Sequence, residues 1–332
     1  MAWAMRTLMT AVVVAFALAT PAGAAAPGPP GGRLYDPAGP LNTPIPADAR
    51  ADEDSAAMID LLRHDFDRGG FFLLLKRWTT TVFFANAITP RRTVRLTARW
   101  APVRRMIGAP IPRRAVPDPS GDGSMAIIDR DTGCEYDFWQ AKKGDTGWSA
   151  SWGNTIKIGG PGVFPKGLSA RGSGFALPAG VIWPSDLARG RIDHALIFSY
   201  SYPSIAGVVP PATESDGRVT KVGAIPEGAR LQLDQSLDLD SLNLTAHEKI
   251  IARALQEYGM YLADWGGPGI TLYAVHPASF KGGAYAGLLP DRTYVGLDRI
   301  PVARFRVLAM PKPTPDNKLP KELVPTGCAK MR

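Results

Sequence analysis

One stretch of this chain gathers the residues that could do chemistry. From Ile127 to Trp152 it reads IIDRDTGCEYDFWQAKKGDTGWSASW. Two apolar runs flank Asp129-Arg130-Asp131-Thr132-Gly133, which has the composition of a β-hairpin turn. In the second run, strand alternation puts Asp137 and Trp139 on one side and Tyr136 and Phe138 on the other. After the Lys142–Gly147 turn the alternation resumes, with Trp148, Ala150 and Trp152 together. An acid beside several indoles is how a protein lines a groove for a sugar. The C–H-rich face of a pyranose stacks on the ring, and the carboxylate takes hydroxyls or a proton. The competing reading is that the same rings are core.

Other residues extend the chemistry. His194 lies in the alternating run RIDHALIFSYSY, from Arg191 to Tyr202, with Ile192, Leu196 and Phe198 on its face. It reads either as a hydrogen-bonded core histidine or as the general base of a polysaccharide lyase. In the lyase, Tyr200 or Tyr202 would be the acid, and an Arg such as Arg191 would neutralise a uronate. A glycoside hydrolase instead needs two carboxylates across a groove, about 5–5.5 Å apart for retention or 6.5–9.5 Å for inversion. The candidates are Asp137, Glu214, Asp216 and Asp264, each of which also reads as an ordinary turn or strand-end acid. The catalytic set expected from sequence is Asp137, His194 and Glu214, with Trp139, Trp148, Trp152 and Arg191 binding substrate.

Several mechanisms are set aside. His247-Glu248 opens an H-E-x-x-H pattern, but position 251 is Ile. There is no G-x-S-x-G elbow, no phosphate-binding P-loop and no dinucleotide fingerprint. Asp129-x-Asp131-x-Gly133 could belong to a calcium loop, although a plain hairpin turn accounts for it better. No metal or cofactor is expected.

Many short strands must position these residues. Runs at 71–75, 78–87, 93–100, 191–202 and 229–233 read as strands, and a glycine-rich loop, 159–174, reads as one that reaches over a binding face. One helix is expected from about Ser55, with Met58, Leu61, Leu62 and Phe66 as its stripe and Gly69-Gly70 as its stop. A second spans 246–258, with Thr245 and Glu248 as a capping box and Gly259 beyond its end. Residues 260–263 and 270–275 read as a hairpin following it. The fold class predicted is mainly β, an antiparallel β-sandwich or jelly roll with two peripheral helices.

The chain has 332 residues and opens like a secretory signal: Arg6, an apolar run from Leu8 to Ala19, and a small-x-small site ending at Ala24. That segment carries one Arg and no acid, so the formal charge of +8 becomes +7 on cleavage near Ala24. Residues 25–50, rich in Pro, Gly and Ala, read as a flexible leader or surface strap, 51–310 as one β domain, and 311–332 as a loosely ordered tail. Cationic residues are dispersed singly and in pairs. That favours an acidic or envelope glycan as partner over nucleic acid. The two cysteines, Cys134 and Cys328, are expected to pair in an oxidising compartment. No membrane span is expected.

Tyr136-Asp137-Phe138-Trp139, Gly190–Leu196 and Tyr258–Asp264 resemble segments shared by a group of secreted bacterial β-rich proteins, and the likeness covers most of the mature chain. The resemblance implies a secreted address and assigns no catalytic residue. The functional expectation is an exported hydrolase or lyase acting on a polysaccharide, the alternative being a non-catalytic glycan-binding or envelope-associated protein.

Overall fold

The computed structural model describes residues 25–319 and 321–332. The expected signal segment, 1–24, lies outside the described residues. The described chain is mainly β, with four sheets and three α-helices.

The largest sheet has seven strands, in the order Tyr294–Gly296, Phe71–Leu74, Ile270–Tyr273, Leu196–Tyr200, Met260–Trp265, Arg230–Leu233 and Phe305–Val307. Its alternating residues feed two separate cores. Phe71, Leu73, Leu196, Phe198, Leu262 and Leu272 pack against the helices Ser55–Gly69 and Ala246–Glu257. Leu74, Ala195, Ile197, Ala263 and Tyr273 face the other way, onto Val82, Ala126, Ile128 and Ile156. Those four belong to a four-stranded sheet of Thr81–Ala85, Met125–Asp129, Cys134–Trp139 and Trp152–Lys157. Its opposite face, with Phe83, Ile127, Tyr136 and Phe138, covers Val94, Leu96, Met106, Trp148 and Ala150 of a five-stranded sheet. The order of layers is helices, seven strands, four strands, five strands.

The capped helix forms as expected. Thr245 N–H donates to Glu248 Oε2 at 2.8 Å, and Glu248 N–H donates to Thr245 Oγ1 at 3.4 Å. Gly259 then takes φ +67°, where a Cβ would lie 2.2 Å from the Leu231 carbonyl. The expected hairpin between Met125–Asp129 and Cys134–Trp139 is present.

Three expectations change. Pairing is not purely antiparallel: Phe71–Leu74 with Ile270–Tyr273, Leu196–Tyr200 with Met260–Trp265, Thr81–Ala85 with Met125–Asp129, and Arg91–Leu96 with Gly147–Ala150 are parallel. Side-chain alternation has the same period in both arrangements and cannot tell them apart. Met260–Trp265 and Ile270–Tyr273 are not a hairpin, because Leu196–Tyr200 lies between them. The two long helices cover a sheet face rather than the ends of the fold, and a short third helix spans Pro184–Ala188.

Both ends of the described chain are tied down. Residues 25–50 form a strap that buries Leu34, Tyr35, Leu41 and Ile45. At the other end, Cys134 and Cys328 form a disulfide, and Lys330–Met331 adds a strand to the five-stranded sheet. The tail is therefore anchored on both sides of residue 329. No helix among the described residues is long and apolar enough to cross a membrane.

Candidate functional site

A cavity of about 1170 Å³ opens where the seven-stranded sheet meets the loops beside it. Ser199, Thr271 and Tyr273 of the sheet line it, joined by the loop Leu168–Gly172, the loop Glu214–Asp216, and the turn Asp264–Pro268. The glycine-rich loop does reach this site, contributing Leu168 to Gly172. Four lining aromatic side chains stand open to solvent, namely Trp78 (43 % exposed), Trp100 (57 %), Trp265 (47 %) and Tyr294 (40 %). Large apolar groups cost free energy when left in water, so four around one opening mark a ligand surface. Trp100 leans on the buried Trp152 at 5.5 Å between ring centres, and Arg218 stacks over Trp265 at 4.9 Å, so both platforms are held in place.

Asp264 reaches the cavity through a β-bulge. The register between Leu196–Tyr200 and Met260–Trp265 slips between Phe198 and Ser199, so that Phe198 opposes Leu262 while Ser199 opposes Asp264. Ala263 faces the inter-sheet core, and the extra residue turns Asp264 to the cavity on that same side. Arg171, with its side chain 2 % exposed, lies 3.6 Å from Asp264 Oδ2, donates to the Leu177 carbonyl at 3.1 Å, and covers the Tyr273 ring. Burial pushes the Asp264 carboxyl up to about 8, the charge of Asp216 adds to this, and Arg171 opposes it. The side chain is 30 % exposed, but that surface opens into the walled cavity, where hydration is poorer than in bulk.

Behind Asp264 sits a second acid, shared between two residues. Asp216 lines the cavity, and Glu227, fully buried, lies beyond it. Burial raises both, and the charge of Asp216 lifts Glu227 further. Asp216 and Glu227 are side-chain hydrogen-bond partners, which requires a proton between the two carboxyls. Across the cavity, the half-buried Asp122 accepts the Trp139 indole N–H at 3.3 Å. Its charge is close enough to add to the rise at Asp264.

The residues expected from sequence divide. Trp139 and Glu214 line the cavity. Glu214, however, is committed to backbone: Ser169 N–H donates to Oε1 at 2.7 Å and Leu168 N–H to Oε2 at 3.2 Å. It pins the loop through both oxygens, and burial raises its pKa while the Ser169 hydrogen bonds lower it in part.

Asp137 does not reach the cavity. It is fully buried between the seven- and four-stranded sheets and accepts the Leu177 N–H at 2.7 Å. Burial raises it to about 7, the Leu177 hydrogen bond lowering it in part. Its neighbour Glu135, raised further by burial and by the Asp137 charge, accepts from Tyr35 Oη at 2.9 Å. Glu135 and Asp137 are likewise side-chain hydrogen-bond partners, which requires a proton between the two carboxyls. Sequence alternation gave the correct face for Asp137, but the strap and the 159–181 segment cover that face.

Trp148 and Trp152 are core between the four- and five-stranded sheets. The chain changes sheets at Ser151, so the two tryptophans sit on strands of different sheets. Trp152 Nε1–H donates to the Leu168 carbonyl at 2.7 Å and supports the cavity loop from behind.

His194 stands away from the cavity. Its Nδ1 is 3.0 Å from the Ala195 carbonyl, and its Nε2 is 3.5 Å from Asp186 Oδ2, an ion-pair distance without hydrogen-bond geometry. Burial opposes its charge, but Asp186 outweighs that, and the pKa is raised. Arg191 is a surface residue paired with Asp193 and, at 2.9 Å, with Glu257. Tyr200 Oη donates to the Tyr202 carbonyl at 2.6 Å. The lyase constellation of His194, Tyr200, Tyr202 and Arg191 is therefore not assembled at the cavity.

Sequence reading did not single out Trp78, Trp100, Trp265, Tyr294, Asp122 or Arg171. Trp265, directly after the candidate Asp264, was the one with a local signal. Asp129 accepts from Arg91 at 3.0 Å and Asp131 from Ala87 N–H at 2.6 Å, so the Asp129–Gly133 turn is held by protein donors. Among the described residues no cluster of His, Cys, Asp and Glu side chains is arranged to hold a metal ion. No protein-family model matches this chain, and neither a curated protein nor a solved structure matches it.

Proposed function

We propose that this is an exported carbohydrate-active protein that holds a polysaccharide in the aromatic-rimmed cavity and cleaves it as a glycoside hydrolase. The facing four- and five-stranded sheets form its β-sandwich, and the seven-stranded sheet carries the site. The observation that carries the reading is the set of four exposed aromatic rings around a cavity containing the raised carboxyl of Asp264. Rings of this kind stack on the apolar faces of sugars, and the polar groups between them bond the hydroxyls.

Asp264 is the proton donor to the leaving glycosidic oxygen. A carboxyl raised to about 8 is protonated at neutral pH and can act as a general acid. Arg171 and a backbone hydrogen bond from Trp265 stabilise the carboxylate left after transfer. Asp122 is the second carboxylate, acting on water or on the anomeric carbon. It is preferred over Asp216 because Asp216 shares its proton with Glu227.

The test is a panel of neutral and acidic polysaccharides, assayed for new reducing ends and for the absorbance of unsaturated uronates. Reducing ends without that absorbance support hydrolysis. Unsaturated products would mean a lyase, and binding with neither product would mean a non-catalytic glycan-binding protein.

A further inference from the structure

The arginines that look dispersed in the sequence are gathered by the fold. In the five-stranded sheet, Arg105 opposes Arg95, Arg95 opposes Ser149, and Ser149 opposes Lys142. Directly opposed residues share a sheet face, so Arg105, Arg95 and Lys142 form one row across four strands, about 14 Å long at the usual strand spacing. Their neighbours Val94, Met106, Trp148 and Ala150 point into the core, which leaves the row outermost, and Arg105, Arg95 and Lys142 are all exposed. Lys330, opposite Ile107, adds a cation in the next row.

Among the described residues none of these four cations makes an ion pair. Arg91, at the end of the same strand, is by contrast matched by the buried Asp129. Like charges placed opposite one another on a sheet destabilise it, so folding does not account for the row.

We propose that the outer face of this sheet is a binding surface for an acidic polysaccharide, with Arg105, Arg95 and Lys142 holding successive carboxylates. The chemistry of the face selects this partner. Guanidinium groups match carboxylates in a bidentate fork. None of the exposed large apolar side chains lies on these strands. These strands therefore offer no exposed large ring on which a nucleic-acid base could stack and no exposed large apolar group to enter a lipid surface. The loop that joins Arg91–Leu96 to Arg105–Pro110 carries Arg99 and Arg104 beside Trp100, which belongs to the cavity rim. The surface is separate from the cavity, and the inference does not depend on any cleavage there.

The experiment compares the full chain with the triple variant Arg95→Ser, Arg105→Ser, Lys142→Ser. Each is titrated with polygalacturonate at several salt concentrations. A surface cation contributes roughly a factor of five near an anionic surface, so the triple variant should bind about a hundredfold more weakly. Its affinity should also depend less steeply on salt, since fewer counterions are released. Its melting temperature should be unchanged or higher, because opposed like charges are removed.

Equal affinity in the triple variant, or no binding by the parent, would overturn the proposal. So would tighter binding by the parent to single-stranded DNA, or to vesicles one-third phosphatidylserine, at the same salt.

Discussion

Two kinds of tryptophan meet beside the cavity, Trp100 resting on Trp152, and they carry opposite predictions. Trp100 and Trp265 are about half exposed and line the cavity, whereas Trp152 is buried. Replacing Trp100 or Trp265 by Ala should weaken glycan binding by about 1–3 kcal/mol, by analogy with base–aromatic stacking, and barely move the melting temperature. Trp152→Ala should cost about 3–5 kcal/mol of stability, because it empties a packed site. Thermal melts beside binding isotherms check both. Asp137 is equally separable. Asp137→Asn keeps an acceptor for the Leu177 N–H and gains a donor for Glu135, so fold and activity should both survive. Asp137→Ala leaves those groups unpaired and should cost about 1–3 kcal/mol. Loss of activity in a well-folded Asp137→Asn protein would bring that residue back into the site.

The elements were legible in proportion to how locally they are determined. The capping box at Thr245 and the glycine after that helix are sequence-local, and both stand where the residues put them. Gly259→Ala should lower stability by at least about 1–2 kcal/mol, from the left-handed backbone alone, before the contact with the Leu231 carbonyl is counted. A shift in the urea midpoint measures it. Strand partners were less legible, since insertion of Leu196–Tyr200 between two neighbouring runs leaves no mark on their alternation. The site was less legible still. Asp264 points into the cavity because of a bulge, and a bulge breaks the period from which faces are read. The change of sheet at Ser151 did the same to Trp148 and Trp152.

The molecule holds raised carboxyls both at the cavity and between its sheets, and their linkage to pH has a definite sign. Asp137, near 7, and Asp264, near 8, are raised above their ordinary value, so the folded chain binds protons that the unfolded chain has released. The stability this confers is complete below about pH 4 and is lost as pH rises through 7 and 8. Asp234, lowered to about 2 chiefly by Arg304, acts in the opposite sense at acid pH, but it is exposed enough to be screened. Urea unfolding should therefore show stability falling by a few kcal/mol between pH 5 and pH 9. A flat or rising profile would mean that the carboxyls are ionised in the fold.

The central claim is that Asp264 donates a proton to a glycan held in the aromatic cavity. Its most direct test is the rate of reducing-end release by Asp264→Asn beside the parent, on whichever polysaccharide the parent cleaves. Asn preserves the shape of a carboxyl that is already neutral at pH 6, so folding and polymer binding should be retained. The rate should fall by a factor of about 10²–10⁴, the contribution of a positioned general acid. An Asp264→Asn protein that cleaves as fast as the parent would contradict the account.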